Sequence, residues 1–177
     1  MDPDQLHREI ERARRTLHQL LGEATTDDLH RRSDGTKWTN EQLLFHMVFG
    51  YLLVRVLVVL ARLLHRLPGT VGRGFARALN ALSVPFHVIN YWGSRSAAIV
   101  FNHCRMGFAM DRACRSLHRY LDTAPSGGLD EGMHVPVRWD PYFRDYMTIA
   151  DIIHFATQHF DFHRRQLTLT STGEQPR

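Results

Sequence analysis

Twelve histidines among 177 residues are more than an ordinary chain requires, so spacing has to decide which could act together. His159 and His163 lie four apart. On a helix turning 100° per residue they are separated by about 40°, with both imidazoles on one side. Two such nitrogens can share one cation. A catalytic zinc-type site takes three protein ligands and leaves a coordination position open, so a third group must come from another element. His46 is the candidate, set between Phe45 and Met47 in a strongly apolar stretch with Leu43, Gly50 and Leu53 on or beside its face. A polar group among such neighbours costs free energy unless it is partnered. A cation on three neutral imidazoles generates a nucleophile from water or thiol near neutral pH, which suits group transfer or hydrolysis. Plainer readings compete: paired histidines arise by chance in a His-rich helix, and a core histidine can be satisfied by a backbone carbonyl or a tyrosine.

Other groups are candidates for the surroundings of that site. Asn102 and His103, on the third long helix, could face the pocket or simply pack. Tyr142, Arg144 and Tyr146 precede the last helix and could orient an anionic substrate at its N-terminal end, against a competing role in surface packing. His154 sits about 140° round the helix from His159 and is expected at the surface. Asp161, about 160° from His163, does not offer itself as a general base. No residue is singled out as catalytic beyond the three candidate ligands.

The elements that must position these groups are helical. Period 3.6 recurs in four long segments, whereas alternation appears only briefly around His134-Val135-Pro136-Val137. A first helix is expected over Pro3–Glu23, with Leu6, Ile10, Ala13, Leu17, Leu20 and Leu21 on its apolar face. A second opens at Thr39, whose hydroxyl can cap it while Gln42 reaches back, and Pro68-Gly69 follows its end near Arg66. The last opens the same way, with Thr148 and Asp151, and runs to about Leu169. The third spans about Ser94–Asp122. Between the second and third lies a segment, about 67–93, that reads as a short helix over Val71–Leu82 and then an aromatic stretch with Phe86, Tyr91 and Trp92; it could be a lid over the pocket, a dimer contact or a lipid dock. The expected fold is an all-α four-helix bundle, one domain over 1–170, followed by a polar tail at 171–177.

Composition narrows the function classes. The net charge is +4, but Lys37 is the only lysine among 22 basic residues, and the arginines are scattered among 18 acids. Nucleic-acid binding would ask for a dense basic stripe. Cys104 and Cys114, ten residues apart on one expected helix, are roughly 15 Å apart along its axis, too far to bridge. The acidic start Met1-Asp2-Pro3-Asp4 is unlike a signal peptide, so a cytoplasmic location is expected. Leu43 to Leu64 is long and apolar enough to cross a bilayer. Arg55 and Arg62 within it would each cost about 2.5 to 3.5 kcal/mol there, which favours a buried helix and leaves peripheral membrane contact as a lesser alternative.

The order of these motifs resembles the DinB/YfiT-like family. Lys37-Trp38-Thr39-Asn40-Glu41-Gln42-Leu43-Leu44-Phe45-His46-Met47 is similar to that family's W-T-x-x-E-x-L-x-H opening of its second helix. Met147-Thr148-Ile149-Ala150-Asp151-Ile152-Ile153 with His159-x-x-x-His163 is similar to its T-L-x-D-L-L…H-x-x-x-H last helix. Gln42 stands where the pattern has Glu, and Leu67 to Gly93 is longer than the family's connection, so the resemblance covers about 1–65 and 94–170. It implies an up-down-down-up four-helix bundle, often dimeric, holding zinc or nickel on His46, His159 and His163. Several relatives are metal-dependent thiol transferases using bacillithiol or mycothiol, and others are hydrolase-like. An arginine-rich, lysine-poor composition is what a GC-rich genome produces, and bacteria with such genomes that make mycothiol point to that thiol. The expectation is therefore a metal-dependent S-transferase or hydrolase acting on a small molecule as a homodimer. The rival is a non-catalytic bundle that binds a hydrophobic ligand, a partner or a membrane surface.

Overall fold

The computed structural model describes residues 1–100 and 103–170, with the side chains of all of these except 87, 89, 94–100, 103 and 104. Among them lie α1 (Pro3–Glu23), α2 (Thr26–His30), α3 (Asn40–His65), α4 (Gly69–Ala81), α5 (Ser83–Val100), α6 (His103–Thr123) and α7 (Ile149–Arg164). A short antiparallel ladder joins β1 (Gly132–His134) to β2 (Tyr146–Thr148). The chain is predominantly helical, as its periodicity predicts. The polar tail at 171–177 lies outside the described residues.

Local chemistry sets where the helices begin. Asp2 caps α1 by accepting the Asp4 amide at 3.2 Å, with Pro3 in the first turn, where its missing N–H would have had no helical partner. Thr39 opens α3 with a reciprocal box: its Oγ1 accepts the Gln42 amide, and Gln42 Oε1 accepts the Thr39 amide at 3.2 Å. Thr148 and Asp151 repeat the device on α7, and Thr25 with Asp28 on α2. The boxes read in the sequence at Thr39 and Thr148 are therefore present.

The core lies where four apolar faces meet. α3 packs on α6 and α7, and α1 packs on the same two helices. Leu6, Ile10, Ala13 and Leu17 of α1 are fully buried, as are Met47 and Val54 of α3, Met106, Met110 and Ala113 of α6, and Ile153, Ala156 and Phe160 of α7. Each buried large aliphatic side chain contributes about 1.5 to 3 kcal/mol relative to exposure. Tyr51 of α3 is also fully buried, with its hydroxyl 3.0 Å from Thr157 Oγ1 of α7, so the one polar atom it brings inside is paired.

Two sequence expectations are corrected. Helix is already present ahead of Ser94: α5 begins at Ser83 and runs through Trp92 to Val100, and α6 covers His103–Thr123 on the other side of 101–102, which lie outside the described residues. Pro85 did not stop α5 because it is the third residue of that helix, where an N–H lacks a helical acceptor. The brief alternation at His134 is the end of a real strand. Its register places Gly132 opposite Thr148, where a Cβ would strike the Met147 carbonyl oxygen. The ladder brings the intervening segment, 135–145, back to the start of α7.

Candidate metal centre

His46 is two turns into α3, and His159 and His163 are on the last turns of α7, the helix α3 packs on most extensively. One ligand nitrogen from each of the three lies within 4.8 Å of the others. The rings form a close triangle, with centroids 4.9 Å apart for His46–His159, 4.7 Å for His46–His163 and 4.5 Å for His159–His163. His46 is 5% exposed and His159 7%. Gly50 makes the approach possible: a Cβ there would lie 2.8 Å from His159 Cδ2.

The hydrogen bonds orient the rings. His159 Nδ1 is 3.0 Å from Asp140 Oδ2, and both side chains are largely buried. A carboxylate only accepts, so Nδ1 donates and the lone pair is on Nε2. That Nε2 is buried and has no hydrogen-bond partner. The backbone N–H of Tyr142 donates to Asp140 Oδ1 at 2.9 Å and fixes the carboxylate. His163 Nδ1 donates to Gln166 Oε1 at 2.7 Å, which likewise leaves its Nε2 with the lone pair. Burial first, and the neighbouring imidazoles second, hold His46 well below the ordinary histidine range; the same causes bring His163 down to about 4. Both are neutral at physiological pH, the form that ligates metals. An orphaned buried nitrogen on one oriented ring, a second oriented ring, a third buried imidazole and a hydrogen-bonded carboxylate behind the first fit a divalent cation.

A cavity of about 220 Å³ adjoins the triangle. Segment 67–93 contributes to its lining through Phe86 and Asn90 of α5. Phe86 stacks on Trp139 at 3.8 Å, nearly parallel. α4 holds the opposite loop, because Leu79 O accepts from Trp139 Nε1 at 3.0 Å and Asn80 Oδ1 accepts the Arg138 amide at 3.1 Å. Trp38 lies over His46 at 4.5 Å and stacks with Tyr91 of α5 at 6.3 Å.

The other sequence candidates divide. Tyr142 lines the cavity. Arg144 does not; it is exposed and pairs with Asp151 at 2.5 Å in the first turn of α7, where the helix dipole attracts the acid and the acid attracts the guanidinium. Asn102 and the side chain of His103 lie outside the described residues. Asp161 faces away from the site and pairs with Arg12 of α1 at 2.6 Å. His154, expected at the surface, is half-buried and joins α7 to α1 through Glu9 at 2.7 Å. The sequence placed Gly50 beside the His46 face without assigning it a role, and Asp140, Gln166 and Trp139 were not singled out. Gln166 was findable, three residues after His163 and just past the end of α7, within reach of that ring. Asp140 and Trp139 are on a loop with no period to betray them.

Compared with protein-family models, with curated proteins and with solved structures, the chain finds no match in any of the three. What the site can do rests on its geometry.

Proposed function

We propose that this chain is a divalent-metal-dependent enzyme of the DinB-like kind, an up-down-down-up four-helix bundle in which His46, His159 and His163 hold zinc or nickel. The observation that carries the reading is the buried, partnerless Nε2 of His159, within reach of two further imidazoles while Asp140 holds its Nδ1. A bound divalent cation supplies Lewis acidity that stabilises an anionic oxygen or sulfur nucleophile near neutral pH. The chain's residues do the rest: Asp140 and Gln166 fix two ring orientations, Gly50 lets α3 close on His159, and Trp38, Phe86 and Trp139 give the adjoining cavity aromatic walls. The reaction class proposed is S-transfer from a low-molecular-weight thiol of the mycothiol type, or hydrolysis, on a small molecule in the cytoplasm.

Metal analysis tests the centre. The purified chain is expected to carry or take up about one equivalent of zinc or nickel, and His46→Ala to lose it while keeping its helical circular dichroism. A wild-type chain that binds neither metal refutes the proposal. Conjugation of mycothiol to a panel of electrophiles, with and without chelator, then separates transfer from hydrolysis.

A homodimer is part of the proposal, supported by exposed Val56, Val59 and Leu63 on one side of α3. Sedimentation equilibrium checks it, with Val59→Asp expected to shift the chain to monomer. α3 is long and apolar enough to cross a bilayer, but 61% of its most apolar window is buried inside the fold, which supports a core helix over a span.

A further inference from the structure

The cavity beside the imidazoles has a wall of unusual uniformity. Trp38, Phe86, Trp139, Phe143, Phe155 and Phe162 line it. Among the described residues no arginine or lysine does, and Asp140 is the only carboxylate, already committed to His159 and to the Tyr142 amide. In the metal-free chain a carboxylate or phosphate entering would leave water without meeting a cation, and would face Asp140. An aromatic ring would meet ring faces and edges on several sides. The volume of about 220 Å³ exceeds the roughly 150 Å³ that holds benzene, and falls short of the roughly 300 Å³ at which pockets for drug-sized molecules begin. One substituted ring is the size that fits.

We infer that the cavity of the metal-free chain binds an uncharged molecule of one aromatic ring, seated beside Phe86, Trp139 and the three histidines. This binding does not rest on the metal-centre reading.

Benzyl alcohol and benzoate, alike in size and unlike in charge, are titrated calorimetrically into the full chain after dialysis against chelator, with a zinc titration run in parallel. Benzyl alcohol is expected to saturate a single site, and benzoate to bind at least about tenfold more weakly. Phe86→Ala, and Phe86→Leu as the better-tolerated variant, are expected to weaken benzyl alcohol by about fivefold or more, with Phe108→Ala, exposed on α6 and outside the cavity lining, leaving it unchanged. Absence of saturable benzyl alcohol binding, or equal affinity for benzoate, overturns the inference. A chain that takes up zinc but not benzyl alcohol refutes this inference alone, and one that binds benzyl alcohol but no zinc refutes the metal centre alone.

Discussion

Asp140 touches the candidate centre only through His159, yet it decides which nitrogen of that ring carries the proton. Asp140→Asn keeps the shape and an acceptor but removes the charge that makes the ring a better ligand. Zinc affinity is expected to fall about 10- to 100-fold with the fold intact, read by competition with a chromophoric chelator. Gly50 makes a sharper case, because two effects oppose each other. Alanine is the better helix former by about 1 kcal/mol, but its Cβ would stand 2.8 Å from a buried ring that has little room to yield. Gly50→Ala is therefore expected to lose zinc affinity by about tenfold or more without gaining stability, as measured by zinc titration and urea unfolding. The helical pairing of His159 with His163 was legible in the sequence because four residues on a helix is a fixed angle. Their meeting with His46 was only a candidate there, since 113 residues separate it from His159 and no local rule spans that distance.

Among the elements, α3 and α7 carry the three imidazoles and begin on the same kind of reciprocal cap. Thr39→Ala and Thr148→Ala are each expected to cost about 1 kcal/mol, seen as a lowered urea midpoint with an unchanged slope. Both caps were readable because a threonine and its partner three residues on form a local signature. The start of α5 was not. Proline and a run of aromatics look like a loop when their neighbours in space are unknown, and here Phe86 is held by Trp139 from a loop more than fifty residues away. Asn40 is a similar case at the first residue of α3: fully buried, it donates to Asp28 O at 2.8 Å and accepts the Thr168 amide at 3.1 Å, tying three distant segments. Its replacement by alanine would strand those groups, and a loss of about 2 to 3 kcal/mol in urea unfolding is expected.

For the molecule as a whole, the buried imidazoles make stability depend on pH. In metal-free protein His163 is held to about 4, against 6.5 for an exposed histidine, and His46 is lowered too. Between those values the unfolded chain takes up protons that the folded chain refuses. Stability is thus full above about pH 6.5 and declines as pH falls toward 4, by on the order of 3 kcal/mol from His163. Urea midpoints in chelator at pH 7.5, 6 and 5 check this, and His163→Gln should flatten the decline. The sequence alone determined the helical class, the capped starts of the two ligand-bearing helices and the shared face of His159 and His163, because each follows from spacings of a few residues. Tertiary structure alone decided that Asp140 stands behind His159, that Gly50 admits that ring, and that α5 contributes Phe86 to an aromatic wall beside the site. Those contacts join residues whose separation along the chain carries no period, so only the packing of helix on helix brings them together.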